Sequence, residues 1–389
     1  MRNAGTDDRD SQQRRYIEAA GGPGDLIQLA HGEGGLLTRR LEEELFLPAF
    51  RNPALERLAD ASVLPLPGSG RLSRFDPSTL VITTDTFVVT PRRFPGGDIG
   101  RLAVCGTLND LAVSGARPLA LTVAFVIEEG LPLTELQAVV ASIAATAREA
   151  GVPVVAGDTK VVGRGEADGL FVNTTGVGVL RGLPAPGADR IVPGDRVFIS
   201  GDIGRHGVCV LSTRAGLEFE AALESDVAWV GPQIEQLYGA AGQEAVHAMR
   251  DPTRGGLATV VNELASSAGV GVILDEAAIP VSPPVAAAAE WFGLDPLYLS
   301  CEGRFVAFLA GDEATAAAAR SASLIEIGRV VSGPADRLPR DQAACARPGG
   351  GVALGREAVP GPGEVWLRTH LGAHRPLELL AGAPLPRIC

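Results

Sequence analysis

Short apolar runs that lead into glycine-rich loops recur in both halves of this 389-residue chain, and they constrain its fold more than any other feature. Residues 26–30 form an apolar run that enters a loop at 32–35, and residues 196–200 enter a second loop at 201–207. A candidate helix with leucines at helical spacing follows the first loop. Strands and helices that alternate with glycine turns between them are typical of α/β proteins. We therefore predict a two-domain α/β (α+β) protein.

The domain boundaries follow from length and composition. A chain of 389 residues is too long for one compact core and suits roughly two or three domains. The composition shifts to proline, glycine and alanine around residues 184–194, which indicates a boundary there. We predict a disordered extension over residues 1–24, a first domain over 25–190, a second domain over 191–370 and a tail over 371–389.

Charge and cysteine content exclude several classes of function. The net charge of −12 argues against a nucleic-acid surface. No run of about 18 apolar residues is present, so we expect no membrane span. The five cysteines are far apart and form no CxxC pair, so neither a zinc site nor a disulfide framework is indicated. We expect a cytoplasmic protein, since thiols persist in the reducing cytosol.

One helix and the strand after it give the clearest local pattern. The helix is predicted to begin near Thr134, which would form a capping box with Gln137, and to stop at Gly151. Residues 152–156 are then predicted to be a short buried strand. That strand ends at acidic and basic residues, and charged residues at a strand end are typical of site positions.

Three aspartates next to apolar segments form a candidate cation site: Asp85, Asp110 and Asp158. Each has a hydroxyl or amide neighbour, namely Thr86, Asn109 and Thr159. Convergent carboxylates with such neighbours suit a hard cation such as Mg²⁺ held against substrate phosphates. For Asp110 the alternative is a helix cap or a solvated face.

The first glycine loop, with Gly32, Gly34 and Gly35, is a candidate anion-binding loop, since backbone N–H groups at the start of a helix bind phosphate. A plain connecting loop is an equally good interpretation. No Walker A sequence is present, which argues against a P-loop nucleotide fold. A phosphate site would therefore be assembled from separate glycine turns and carboxylate-bound metal.

The chain ends in Pro-Leu-Pro-Arg-Ile-Cys, with Cys389 as its last residue. Nothing follows this cysteine, so its thiol can be threaded into a pocket. The alternative is a frayed terminus with an incidental thiol, because chain ends are usually poorly ordered. The three aspartates favour the first interpretation, since a metal–phosphate site needs an acceptor and the rest of the chain offers none.

Several motifs occur together in one order, and their combination is specific. They include Gly-Asp-Thr-Lys at residues 157–160, Asp-Pro-Thr-Arg-Gly-Gly at 251–256, and the terminal Pro-Arg-Ile-Cys. With these motifs the chain resembles the HypE family of hydrogenase maturation factors over roughly residues 25–389. The resemblance implies a PurM-like ATP-binding fold. Its N-terminal sheet domain would dimerise across a two-fold axis, and an α/β sandwich and a flexible C-terminal tail would follow.

The resemblance also implies a function. ATP and Mg²⁺ would occupy a cleft at Asp85, Asp110 and Asp158. Cys389 would accept a carbamoyl group from the carbamoyltransferase HypF, and ATP would drive dehydration of that group to a thiocyanate. The cyano group would then pass to iron on the HypC–HypD complex, towards the iron centre of nickel–iron hydrogenase. The expected enzyme is therefore a carbamoyl dehydratase that acts as a homodimer.

Roles in this reaction are predicted residue by residue. Cys389 is the nucleophile, and Lys160, Glu302 and His206 are candidates to polarise the phosphate or accept a proton. A structural role is the alternative for each of these three. The predicted nucleotide contacts are Gly32, Gly34, Gly35, Asp85, Thr86, Asn109, Asp110, Gly157, Asp158 and Thr159.

Two other functions fit part of the sequence. One is a small-molecule kinase or synthetase of the same superfamily, such as a selenophosphate synthetase or a thiamine-phosphate kinase. Selenophosphate synthesis is disfavoured, because it calls for a Cys or selenocysteine beside an N-terminal glycine loop and no Cys precedes Cys105. The other is a non-enzymatic scaffold, which would have no need of the three aspartates.

Overall fold

A computed structural model describes residues 27, 31–32, 35–50, 52, 54–57, 59–65, 79–217, 223–332, 359–380, 385 and 387–389. The predicted extension over residues 1–24, Gly34 and most of the strand predicted at 26–30 lie outside these residues. Ahead of the first sheet, a helical segment contains α1 (Leu36–Leu41), a π-helical turn (Glu42–Phe46), α2 (Leu47–Phe50) and a 3₁₀ turn (Leu55–Arg57).

The first domain is a five-stranded sheet with two helices packed on one face. Its strands are β1 (Ser62–Pro65), β2 (Thr79–Phe87), β5 (Ala116–Glu128), β6 (Val154–Val162) and β7 (Leu170–Leu180). They are ordered β1-β2-β7-β5-β6, and only β5 and β6 run parallel. A short hairpin, β3 (Arg93–Phe94) and β4 (Gly97–Asp98), leads into α3 (Ile99–Val113), and α4 (Leu133–Ala150) follows β5.

Helix α3 is buried almost all round, because it lies between the sheet and the second half of the chain. Two glycines permit the close approach of this helix to the sheet. A Cβ atom at Gly106 would lie 2.9 Å from the Phe87 ring, and a Cβ atom at Gly176 would lie 2.9 Å from Leu111. Any larger residue at these positions would push α3 away from β2 and β7. This contact sets the position of Asp110 near the end of the helix.

The second domain is a seven-stranded sheet with helices around it. Its strands are β8 (Arg196–Ile199), β9 (Val246–Arg250), β10 (Gly271–Asp275), β11 (Val306–Leu309), β12 (Ile325–Val331), β13 (Val365–Arg368) and β14 (His374–Pro376). The order is β14-β13-β10-β12-β8-β11-β9. Its helices are α5 (Arg205–Arg214), α6 (Gly231–Ala241), α7 (Gly256–Ala268), α8 (Pro283–Phe292) and α9 (Glu313–Ser321), with 3₁₀ turns at Ala188–Arg190, Glu276–Ala278 and Pro296–Tyr298.

The core of the first domain continues into the second half of the chain. Buried side chains of α5 and α8, such as Val208 and Val285, belong to the same apolar cluster as the first sheet. Leu385 and Ile388, near the chain end, are also in this cluster. The seam between the two sheets is therefore a packed interface, and the C-terminus lies in it.

The helix after β5 confirms one predicted signal and contradicts another. Gly151 ends α4 in the left-handed region with φ of 70°, as predicted. The capping box is wrong, because the N-cap residue is Pro132 and no side chain caps the first turn. Thr134 lies inside the helix, one residue past its first position.

The buried strand predicted at residues 152–156 is also wrong. The strand β6 is longer, spans Val154–Val162 and is exposed along almost its whole length. It lies at the edge of the sheet, where nothing in the described chain covers it. Apolar residues here match a buried strand in composition, but the sheet order leaves them on the surface.

The tail is shorter than predicted. Residues 374–376 form β14, which pairs with β13 at the edge of the second sheet, so they are not part of a free tail. Among the described residues, no helix is both long and apolar enough to cross a membrane.

Candidate active site

Two carboxyl groups meet where α3 packs against β2. Thr83 donates a hydrogen bond from its hydroxyl to Asp110 Oδ2 at 2.8 Å. Burial raises the pKa of Asp110 well above its usual value, and the nearby Asp85 charge raises it further. Burial likewise raises the pKa of Asp85, against the opposing effect of Arg254. Two neighbouring carboxyls with raised pKa values favour a bound proton or a cation between them.

The second domain adds two more acids to this region. Asp251 and Glu302 are buried, with 5% and 2% of their surfaces exposed. Glu302 Oε1 has no hydrogen-bond partner among the described residues. Burial raises the pKa of both groups well above their usual values, and the Asp251 charge further raises that of Glu302. A buried carboxyl of this kind is suited to general acid or base chemistry.

Asp251 opens a third glycine turn, residues 251–256, which is held tightly against the loop that carries Glu302 just before β11. Gly256 has φ of 62°, in the left-handed region, and begins α7. A Cβ atom there would lie 2.6 Å from the Leu299 carbonyl oxygen. Cys301 N–H also donates to the Pro252 carbonyl at 3.0 Å. The glycine turn thereby fixes the acids at 251 and 302 relative to each other.

Arg254 is the cation among these acids. Its side chain is exposed, and its Nη1 donates to the Gly32 carbonyl at 2.9 Å. The charge of Cys389 raises the pKa of Arg254 most. Partial desolvation opposes this rise, and the charges of Asp85 and Glu302 raise the pKa further. One guanidinium therefore interacts with the first glycine loop, the acidic groups and the chain end.

A cavity of about 260 Å³ opens beside Arg254. Its lining brings together the first glycine loop, α1, the third glycine turn and α7: Gly35, Thr38, Arg39, Glu42, Ala59, Asp60, Arg250, Asp251, Thr253, Arg254, Thr259, Val260, Glu263 and Ser267. Arg250 is held there by Asp60 at 2.5 Å and Glu263 at 3.1 Å. The cavity is polar and charged, as a binding site for a charged ligand requires.

The last three residues of the chain are docked at this site. A terminal oxygen of Cys389 accepts from Val88 N–H at 3.0 Å, and the Arg387 carbonyl accepts from Thr90 N–H at 3.3 Å. Arg387 also pairs with Asp168, with 2.6 Å between Nη1 and Oδ2. The chain end therefore runs alongside the segment that follows β2. The frayed terminus is excluded for residues 387–389.

The predicted site residues separate into two groups, because Asp158 and Lys160 do not join the others within one chain. Directly paired strand residues share a face of the sheet, and Asp85 aligns across the strands with Gly157. Asp158, the next residue, therefore points to the opposite face of the sheet. Its strand β6 also lies three strand spacings, or roughly 14 Å, from the strand β2 that carries Asp85. Asp158 pairs with Lys160 at 2.8 Å, and both side chains are exposed.

The predicted convergence of three aspartates is thus wrong for a single chain. No group of three or more His, Cys, Asp or Glu side chains is arranged to hold a metal ion in the part of the chain that the structure describes. Thr86 points to the same face as Asp158, away from Asp85, and its hydroxyl accepts from Asn173 at 3.0 Å. Thr159 and Gly157 lie on the exposed strand β6.

Asn109 and His206 are buried and fully engaged by other protein groups. Asn109 Nδ2 donates to the carbonyls of Ala228 and Glu302, and its Oδ1 accepts from Val230 N–H. These bonds join α3 to the second domain. Both ring nitrogens of His206 also have partners, one of them the Ile388 carbonyl at 2.8 Å. Their assigned contacts with the nucleotide or a proton stay predictions.

Sequence reasoning missed Arg254, Asp251 and Asp60 as individual site residues. The signal for two of them was present, because Asp251 and Arg254 flank Pro-Thr and precede a glycine pair in one of the motifs. Asp60 had no local signal. It lines the cavity through tertiary packing, where it pairs with Arg250 of β9.

Two family models match the chain. The N-terminal domain of AIR synthase related protein matches residues 59–180, and the C-terminal domain of the same family matches residues 192–340. The predicted boundary at residue 190 falls between these two ranges.

Curated relatives and solved structures match over nearly the full length. The chain is 43% identical over 364 residues to carbamoyl dehydratase HypE of Cupriavidus necator, which covers 93% of this chain and 95% of that protein. It is 44% identical over 368 residues to carbamoyl dehydratase HypE of Rhodobacter capsulatus, covering 94% and 98%. A crystal structure of HypE in complex with ATP superimposes with a TM-score of 0.70 at 41% identity, covering 94% of this chain and 100% of that one. The PurM-like fold is confirmed, and the chain belongs to the HypE family of carbamoyl dehydratases.

Proposed function

We propose that the chain dehydrates an S-carbamoyl group on its own Cys389 to a thiocyanate at the expense of ATP, and so supplies cyanide ligands for nickel–iron hydrogenase. The observation that carries this proposal is the docked chain end. The terminal thiol residue lies in a seam with a buried carboxyl, Glu302, and a cation, Arg254. A small-molecule kinase would need that place open for a diffusible acceptor, whereas here the acceptor is part of the chain.

ATP is the proposed phosphoryl donor, and the charged cavity beside Arg254 is its proposed site. The crystal structure of a relative in complex with ATP supports this assignment. Asp85 and Asp110 fit a Mg²⁺ ion, because their adjacent carboxyls have raised pKa values that a cation would relieve. Mg²⁺ is usually held by one or two carboxylates together with substrate phosphates, so two aspartates suffice. Bound there, it would neutralise phosphate charge during transfer.

The chemistry removes oxygen and two protons from the carbamoyl group. Its oxygen attacks the γ-phosphorus, ADP leaves, and one nitrogen proton is lost to a base. The carbon–oxygen bond then breaks, phosphate leaves and the second nitrogen proton is lost, which forms the nitrile. Glu302 is the proposed base, because burial raises its pKa and so makes its carboxylate more basic than an exposed one. Arg254 is placed to stabilise negative charge on the phosphate oxygens.

A second copy of the chain is the proposed source of Asp158 and Lys160. Their strand β6 is an uncovered edge, and Val155 and Val161 beside them are 62% and 67% exposed. Proteins usually shield such edges, because an exposed apolar edge strand pairs with other chains. A two-fold pairing of first-domain sheets would cover this edge and bring the Asp158–Lys160 pair to a site in the partner.

HypF is the proposed carbamoyl donor, and the HypC–HypD complex is the proposed cyanide acceptor. A crystal structure of a HypE–HypF complex, with a TM-score of 0.73 and 38% identity over 87% of this chain, supports the first partner. The docked thiol has to leave the seam to reach either one. None of the four described cysteines is in a disulfide, which suits a reducing cytosolic setting.

The test is a single-turnover assay on the purified chain. Cys389 is first carbamoylated with HypF and a carbamoyl donor, ATP and Mg²⁺ are then added, and the mass of the C-terminal peptide is followed. We expect a mass loss equal to one water, together with stoichiometric ADP and phosphate. A carbamoylated chain that keeps its mass with ATP while phosphate is released would refute dehydration. A Glu302→Gln chain is the matched control.

A further inference from the structure

The docked chain end is held from both sides of the seam. On the first-domain side, the backbone N–H groups of Val88 and Thr90 donate to oxygens of Cys389 and Arg387. The Ile388 carbonyl, between them, faces the second domain and receives a hydrogen bond from His206 at 2.8 Å. The Ile388 residue is 1% exposed, so this carbonyl has no access to water as a substitute partner.

The hydrogen-bond partners of His206 determine its protonation state. A carbonyl oxygen only accepts, so Nε2 must carry the proton that is donated to Ile388. Nδ1 lies 2.7 Å from the Ser225 hydroxyl, which also accepts from Val227 N–H at 3.1 Å. The Ser225 hydroxyl proton is therefore directed at Nδ1. The ring is thus a neutral imidazole with one defined tautomer, in keeping with the burial that lowers the pKa of His206.

The imidazole is also fixed in orientation. It is fully buried on α5, and the Phe94 ring of the first domain packs edge-on against it with 5.2 Å between centroids. Ser225 itself is tied to the first domain, because its N–H donates to the Pro95 carbonyl at 2.9 Å. Both domains therefore position the ring, and neither of its nitrogens is left to exchange a proton with a substrate.

We propose that His206 is a positioning residue that latches the docked chain end through the Ile388 carbonyl, and so sets the fraction of time Cys389 spends in the active site. Its consequence for dehydration rests on the function proposed above. Without the Nε2 donor, docking would bury an unpaired carbonyl, so the undocked state becomes more populated. Arg387 adds to this balance, because its φ of 54° is in the left-handed region, which costs a non-glycine residue energy. Docking is thus stable only while its contacts remain.

The matched variants are His206→Gln and His206→Asn. A glutamine amide reaches the position of Nε2 and can still donate to Ile388, whereas an asparagine amide reaches only the position of Nδ1 and keeps the Ser225 contact. Both are polar, so they differ mainly in the one hydrogen bond that matters. His247→Asn serves as a remote control, since His247 lies on β9 and bonds to Asp195.

Docking is measured by the rate at which iodoacetamide alkylates Cys389 in the full chain, resolved by peptide mass. We expect alkylation about tenfold faster in His206→Asn, within about twofold of the native rate in His206→Gln, and unchanged in His247→Asn. Cys105, Cys209 and Cys301 are buried, so their slow alkylation reports an intact fold. Equal Cys389 rates in the native and His206→Asn chains would overturn the proposal. If the buried thiols of the asparagine variant are alkylated rapidly, its fold is disturbed and the test rests on the glutamine variant. Rapid alkylation of Cys389 in the glutamine variant, while its buried thiols still react slowly, would then overturn the proposal.

The second measurement separates the latch from a general loss of structure. His206→Asn should slow single-turnover dehydration of the carbamoylated chain about tenfold, while carbamoyl acceptance from HypF is not slowed, because acceptance uses the undocked end. Together with the faster alkylation, this corresponds to a docking equilibrium constant that falls about a hundredfold, from about 10 to about 0.1. A native chain that fails to dehydrate would refute the proposed function and leave the alkylation comparison intact. Equal dehydration rates in the native and asparagine chains would overturn the latch alone.

Discussion

Replacing Glu302 by glutamine should raise the free energy of unfolding of the ATP-free protein and should abolish its dehydration activity. Glu302 is 2% exposed, its Oε1 has no partner in the described part of the chain, and the charges of Asp251, Asp226 and Asp85 surround it. Its ionised form is therefore strongly disfavoured in the fold. A glutamine amide is neutral and can donate to those carboxylates, so it removes the penalty and also removes the base.

The pH dependence of the effect follows from the raised pKa of Glu302. Below its unfolded value of 4.5, the carboxyl is protonated in both folded and unfolded states, so the substitution has little effect. As the pH rises from there through the folded pKa, the native chain loses stability that the variant keeps. At pH 8 we expect the variant to gain about 1–3 kcal/mol, the usual cost of a buried polar group without a partner.

The assay is urea unfolding of the native and Glu302→Gln chains at several pH values between 5 and 8, with dehydration measured at pH 8. Glu290→Gln is the control, because that side chain is exposed on α8. Activity should fall by about 10²–10⁴-fold, the typical contribution of a general base. A stability difference that does not grow with pH would refute the buried-charge argument. Full activity in the variant would refute the catalytic assignment.

Three further predictions follow from the same geometry. Asp110→Asn should weaken Mg-ATP binding about tenfold by calorimetry, because one of two cation ligands loses its charge; unchanged affinity would contradict the metal assignment. One residue appended after Cys389 should slow dehydration severalfold, since the terminal oxygen that pairs with Val88 becomes part of a longer chain; normal turnover would show that the end is not confined. Val161→Lys should shift the sedimenting species from dimer to monomer, because it places a charge in the exposed edge strand; an unchanged dimer would move the interface elsewhere.

Local patterns predicted some elements well. Strand β8 lies in the apolar run at residues 196–200, and Gly151 ends α4 as predicted. These features depend on residues close in sequence, so a single sequence contains the information. The capping box failed because Pro132, rather than Thr134, precedes the helix, and such a shift of two residues is within the usual uncertainty of helix ends.

The candidate site likewise contains residues that local patterns indicated and residues that only long-range contacts bring together. Asp85, Asp110 and the Asp251–Gly256 turn were visible as charged residues beside apolar segments or glycines. The separation of Asp158 from Asp85 was not visible, because it depends on strand order and on register. In a strand, a shift of one residue moves a side chain to the other face. Arg254 likewise becomes central only when two distant glycine loops meet.

The sequence alone determined the family and its α/β fold, because motifs and their order are local facts of the chain. Tertiary structure decided the rest. It docked Cys389 against Val88, brought His206 to the Ile388 carbonyl, and left Asp158 on an open edge. Each of these depends on which segments are brought together, and contacts between residues hundreds of positions apart have no local signature.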